Sequence, residues 1–192
     1  MDMSEEKAAL RKQVFNKRRE AHSARDGKEL VARDHFLASR LHIGASVIAG
    51  YRPIRTEIDP TPLMEALHQA GHTLCVPVIQ AAGLPLHFAV WEPGEAMTEG
   101  PFGAEVPAEL RWVEPELLIA PLVAFDLGCW RLGYGGGFYD RSLEELRAKR
   151  TTRAVGYAYA AQEVGEIPRE STDQPLDAIV TEHGLIRPKR EG

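Results

Sequence analysis

The chain has 192 residues, 44% of them hydrophobic and 27% charged, an ordinary globular composition with enough length for one domain and a sizeable core. Global disorder is excluded. Lys and Arg number 23 against 28 Asp and Glu, a net charge of −5, so the surface is not broadly matched to a nucleic-acid backbone. No run approaches the ~18–20 consecutive apolar residues of a membrane span, and the N-terminal MDMSEEKAALRKQ is charged where a secretory signal is apolar. A cytoplasmic monomer without nucleic-acid or membrane partners is expected.

Residues 4–41 lack proline and carry apolar side chains at Leu10, Val14, Leu30, Val31, Leu37 and Leu41. This spacing predicts two amphipathic helices broken near 23–27, an N-terminal arm packed on the remainder of a single domain. Ala45–Tyr51 reads as a first strand, Leu63–Ala70 as a helix stopped by Gly71, and Thr73–Ile79 as a second strand, together a βαβ unit. The Pro- and Gly-rich stretch 83–114 holds one alternating segment, Leu86–Trp91, and is otherwise without a predicted architecture. Leu117–Phe125 fits one strand buried on both faces. A helix from about Ser142 to Lys149 and strands at Ala154–Tyr159 and Ala178–Thr181 follow. The alternation predicts an α/β fold, a three-layer sandwich around a largely parallel, Rossmann-like sheet. Cys75 and Cys129 form no CxxC or Cys/His cluster and are expected as free thiols. None of the seven histidines falls in an HExxH or HxH pair, so none is assigned to a metal. Trp91, Trp112 and Trp130 read as core or cleft residues, with core favoured.

The most informative segment is FDLGCWRLGYGGGFYDR, residues 125–141. It sets Gly133, Gly135, Gly136 and Gly137 between an apolar strand and a helix. Glycines there can expose successive N–H groups and let a phosphate approach a helix N-terminus. The pattern is neither a Walker A loop, since GxxxxGK[ST] is absent, nor a dinucleotide fingerprint, since Phe138 breaks GxGxxG. On composition alone a flexible turn fits equally well. Its company favours anion chemistry: Arg131 before the glycines can clamp phosphate oxygens, and Asp140, beside Tyr139 and Arg141, can hold Mg²⁺. Asp140 also reads simply as an acid favoured at a helix N-terminus.

With that motif, the segments KAALR (7–11), TEIDPTPLM (56–64), CVPV (75–78), APLVAFD (120–126), GYAY (156–159) and DQPLDAIVTE (173–182) make the chain resemble the 5-formyltetrahydrofolate cyclo-ligase family over nearly its whole length. The resemblance implies an α/β sandwich in which ATP and a reduced folate share a cleft. It implies ATP contacts from Lys7 and Arg11, one helical turn apart on one face, and from Arg131, Leu132, Gly133, Tyr134, Gly135, Gly136, Gly137, Phe138 and Tyr139. Arg131 and Tyr139 are the implied catalytic pair. Arg52, Glu57, Phe102 and the loop from Tyr134 to Phe138 would border the folate, and Asp140 and Asp173 would hold Mg²⁺. Without the resemblance, Lys7 and Arg11 read as a solvated basic face, Arg52 and Glu57 as loop charge, Asp173 as a turn residue with Asp177 as its rival, and Phe102 as core. Two departures from the family pattern stand out. Tyr134 and Gly136 replace a loop cation found in some members, and Phe138-Tyr139 replaces a Tyr-Tyr pair.

The implied reaction is ATP-dependent closure of 5-formyltetrahydrofolate to 5,10-methenyltetrahydrofolate, chemistry that needs positioned phosphates and cations rather than a protein nucleophile; no GxSxG elbow is present. Two other readings are carried: the same chemistry on another formylated amine, such as a thiamin-related compound, and a non-catalytic folate- or nucleotide-binding module.

Overall fold

The computed structural model describes residues 2–189. The proline-free N-terminal segment forms α1 (Met3–Ser23) and α2 (Lys28–Ser39). A capping box starts α1: Asp2 accepts the Glu5 N–H at 2.9 Å and the Glu5 carboxylate takes the Asp2 N–H at 3.0 Å. The break between the helices falls where Gly27 turns left-handed, φ +79°. Next come β1 (Val47–Ala49), α3 (Thr61–Gln69), begun two residues earlier than predicted by a proline in its first turn, β2 (Thr73–Val78) and β3 (His87–Trp91). The Pro/Gly-rich middle contains a short hairpin, β4 (Met97–Glu99) and β5 (Glu105–Pro107).

The run expected as one strand over 117–125 is two. β6 (Leu117–Ala120) lies in the main sheet, and β7 (Ala124–Phe125) leaves it to pair with β8 (Arg131–Leu132). Pro121, which follows β6, has no N–H to offer a ladder, and the chain departs there. The helix expected from Ser142 starts four residues earlier: α4 spans Phe138–Lys149, so its first turn contains Asp140 and grows directly out of the glycine loop. Strands β9 (Arg153–Tyr157) and β10 (Ala178–Thr181) follow, then β11 (Gly184–Ile186), which periodicity did not reveal in three half-buried residues.

The main sheet runs β11-β10-β9-β6-β1-β2-β3. Its five central strands are parallel, with β3 and β11 added antiparallel at the edges. Side chains alternate between two cores with the period of two that a strand imposes. Ile48, Leu74, Leu117 and Ile119 face the helical layer of α2 and α3, through Phe36, Leu63 and Leu67. Cys75, Leu118, Ala154 and Ile179 face α4, through Leu143 and Leu146. The result is the expected three-layer sandwich, each buried Leu or Ile contributing about 1.5–3 kcal/mol. Both cysteines are free and buried, and burial pushes both thiols up, that of Cys129 to about 11. Trp91 is core as expected, whereas Trp112 is 51% exposed and contradicts the core reading; it lies on the outer edge, edge-on to His87. No described helix is long and apolar enough to cross a membrane.

Candidate active site

β1 has β2 on one side and β6 on the other, so the chain reverses its winding direction between β1 and β6. In an open parallel sheet, the carboxyl ends of the strands flanking such a switch point leave a crevice between the departing loops. A cavity of about 470 Å³ occupies this position, with Tyr51 and Arg52 beyond β1, Ile79 beyond β2 and Pro121 beyond β6 on its wall.

Two further walls are helical. From α1, buried Lys7 donates to Glu170 Oε2 at 2.7 Å and Asp173 Oδ2 at 2.8 Å. Burial alone would lower its pKa, but these two acceptors outweigh it and hold the ammonium above its usual value. One turn on, Arg11 Nε donates to the Gly133 carbonyl at 2.8 Å, laying the guanidinium along the glycine loop. The loop itself requires its glycines. A Cβ at Gly136 would sit 2.7 Å from the Phe138 ring, and Gly137 caps α4 at φ +67° with no side-chain cap to occupy the first helical amides. Those amides and the positive end of the α4 dipole are suited to an anion at the cavity wall.

The remaining charged groups are held on this frame. Arg131 has a side chain only 5% exposed; its Nη2 lies 3.5 Å from Asp140 Oδ2 and its guanidinium 5.0 Å from the Tyr139 ring centre. Asp140 Oδ1 accepts the Gln174 N–H at 2.9 Å, which ties it to the segment that carries Asp173. Glu57 is 4% exposed and accepts the Ile54 N–H on Oε2 at 2.9 Å and the Tyr134 hydroxyl on Oε1 at 3.0 Å. Burial, the dominant effect, raises its carboxyl above the ordinary 4.5, against the pull of those donors and of Arg18 and Arg55. Arg52 bridges outward, Nη1 to Thr61 Oγ1 and Nη2 to Glu105 Oε2, both at 3.1 Å. Four buried side-chain atoms around this cavity lack a partner among the described residues: Arg52 Nε, Arg131 Nε, Tyr139 Oη and Arg141 Nε. Unmet polar groups gathered in one cavity mark a place where a polar ligand completes the hydrogen bonding.

The cavity thus brings together Lys7, Arg11, Arg52, Glu57, the whole stretch Arg131–Asp140 and Asp173. Two candidates are not among its lining residues. Asp177 is drawn to the Ala154 N–H at 2.7 Å and to Arg147, away from this wall. Phe102 is not core: it is 72% exposed on a turn, φ +61°, at the rim, where its ring centre lies 6.1 Å from that of Phe138. The sequence reading missed Glu170, which has no motif, and Arg18, which had one: positions 7, 11, 14 and 18 form a single stripe on α1. Among the described residues no three His, Cys, Asp or Glu side chains converge as a metal cage. Asp140 and Asp173, two carboxylates on the cavity wall, would suit Mg²⁺ in the form the ion takes beside phosphates, with one or two carboxylates and the remaining positions filled by substrate and water.

Comparison with known proteins decides among the activities such a cavity can host. A model of the 5-formyltetrahydrofolate cyclo-ligase family matches residues 3–182. The chain belongs to that family. It is 38% identical over 144 residues to the 5-formyltetrahydrofolate cyclo-ligase of Escherichia coli (strain K12), an alignment covering 71% of this chain and 78% of that one. Among solved structures it is similar to the 5,10-methenyltetrahydrofolate synthetase of Aquifex aeolicus, with a TM-score of 0.75, 29% identity and coverage of 97% of this chain and 94% of that one. The corresponding synthetase of Mycoplasma pneumoniae gives a TM-score of 0.71 at 26% identity, covering 95% and 99%. These cyclo-ligase relatives share the mixed α/β sandwich described above.

Proposed function

We propose that the chain closes 5-formyltetrahydrofolate to 5,10-methenyltetrahydrofolate at the expense of ATP, releasing ADP and phosphate. The observation that carries this reading, beside family membership, is that the phosphate-binding elements and the buried Glu57 line one continuous cavity, so that both reactants meet.

The chemistry explains why such a cavity is needed. A formyl oxygen is a very poor leaving group. Transfer of the γ-phosphoryl group to it gives an iminium phosphate, N10 then attacks the activated carbon, and the C–O bond breaks to release phosphate. Catalysis by positioning and charge neutralisation suffices. Lys7, Arg11, Arg131 and the amides of the loop from Leu132 through Gly133, Gly135, Gly136 and Gly137 to Phe138 hold the phosphates. Asp140 and Asp173 would hold Mg²⁺, which, when bound, neutralises phosphate charge. Arg131 faces the transferred group. Burial keeps the Tyr139 phenol far above its usual pKa, so its unpartnered hydroxyl serves as a neutral donor and not as a base. Glu57 orients the folate, with Arg52 beside it; Phe102, on the rim, would cover the pterin ring from outside.

Stoichiometry tests the reading: one ADP and one phosphate should appear for each methenyl group formed. ATP turnover with another formylated amine and none with 5-formyltetrahydrofolate would favour the related-substrate reading, and ligand binding without turnover the binding-module reading.

A further inference from the structure

Among the described residues Arg18 is the largest fully buried side chain, 0% exposed in the interior face of α1, and no carboxylate of those residues forms an ion pair with it. A buried guanidinium without a counter-ion is costly, so its surroundings must compensate it. Nε donates to Thr56 Oγ1 at 3.1 Å, Nη1 approaches the Leu122 carbonyl at 3.4 Å, and Nη2 donates to the Tyr134 hydroxyl at 2.8 Å. That hydroxyl, having accepted from Arg18, donates its own proton to Glu57 Oε1 at 3.0 Å. The opposite charge therefore lies one phenol away. Burial and the neighbouring Glu57 push the Tyr134 phenol up to about 12, so it remains a donor throughout the working pH range. Its ring is gripped too, with Arg18 and Arg55 guanidinium carbons 5.5 and 5.4 Å from its centre and Phe15 tilted against it at 5.7 Å.

We propose that Arg18 is a positioning residue for the folate site, acting through the Tyr134 hydroxyl to fix the Glu57 carboxylate and to tie it to the glycine loop. This rests on the cyclo-ligase reading, in which Glu57 orients the folate. The tie gives Tyr134 a task beyond the loop's phosphate contacts: its backbone belongs to the nucleotide wall while its hydroxyl belongs to the folate wall. A charge-assisted chain of this kind polarises each member and strengthens the next bond.

Steady-state kinetics of Tyr134→Phe, Arg18→Met and the double variant provide the test, with both KM values measured separately. Tyr134→Phe keeps the ring and its packing, so it stays informative if Arg18→Met fails to fold. Each single change should raise the KM for 5-formyltetrahydrofolate about tenfold while the ATP KM moves less than about threefold. The double variant should be no worse than the poorer single one, since both remove the same chain. Equal changes in both KM values, an unchanged folate KM in Tyr134→Phe, or effects that multiply in the double variant would each overturn the proposal. Absence of cyclisation by the wild type would instead overturn the functional reading on which it rests.

Discussion

Across the cavity the two walls differ in how firmly their polar groups are held. On the inner wall Lys7 is fixed by Asp173 and Glu170, Arg11 by the Gly133 carbonyl, Asp140 by the Gln174 N–H and Glu57 by Tyr134. The outer wall, the β4–β5 hairpin, reaches the cavity through Pro101, Ala104 and Val106, is anchored to it by Arg52–Glu105, and leaves Phe102 exposed. The inner wall is built from α1, the turn that carries Glu57, the glycine loop and α4, and its charged side chains are held by hydrogen bonds and ion pairs within the protein. That is the arrangement electrostatic catalysis requires, because preorganised charges need not reorganise during reaction. The outer wall carries little of that order and is suited to covering a ring rather than to chemistry.

The contrast can be broken most severely at Asp140. Asp140→Ala should lower kcat about 100-fold or more by removing a carboxylate of the metal pair and the partner of Arg131; steady-state turnover measures it, and activity within about tenfold of wild type would remove Asp140 from the reaction. Lys7→Ala, which leaves Asp173 without its cation, should raise the ATP KM about tenfold, read from initial rates at varied ATP. Gly137→Ala forces a non-glycine residue to φ +67° and a Cβ to 2.7 Å from Arg141 Nη1. It should cost about 1–2 kcal/mol in denaturant unfolding and weaken nucleotide binding as well.

A subtler effect concerns pH. Glu57 faces Arg18 from α1, Arg55 from its own turn and the phenols of Tyr51, Tyr134 and Tyr139, and burial lifts its carboxyl above 4.5. Orientation of the folate uses the ionised form, so kcat/KM for the folate should rise with pH through a limb above 4.5. The stability contribution has the opposite sign: with the folded pKa raised, it is full below the unfolded value and is lost as pH climbs through the folded one. Glu57→Gln should abolish both dependences, read from rate and melting profiles over the same pH range. The smallest effect belongs to the outer wall, where Phe102→Ala should change the folate KM by less than about threefold and leave the melting temperature unmoved. A tenfold change would mean that the hairpin closes on the substrate and that the contrast between the walls is false.

Much of this contrast was written in local sequence. The KAALR spacing put Lys7 and Arg11 on one helical face, and the glycine run could be read as an anion loop before a helix, because both signals are carried by neighbours in the chain. Apolar spacing and turn residues along the chain also showed the alternation of strands and helices. What escaped detection depended on tertiary context. The apolar run 117–125 gave no sign that Pro121 ends the sheet strand, since burial continues beyond it in β7. Helix α4 was truncated in the reading because Phe138 and Tyr139 resemble loop aromatics until the glycine turn fixes their backbone. Arg18, within KRRE, was not singled out, although its place seven residues after Arg11 put it on the buried stripe. The residues alone read Phe102 as core, a rule that a three-residue turn at a hairpin tip does not obey, whereas the family resemblance placed it against the folate.

The central claim, one cavity joining phosphate chemistry to a folate, is tested most directly by following the near-ultraviolet absorbance of methenyltetrahydrofolate after mixing protein, Mg-ATP and 5-formyltetrahydrofolate. The band should grow with the wild type, require ATP, and nearly vanish with Asp140→Ala. A wild-type protein that folds and binds both ligands yet gives no band would contradict the claim.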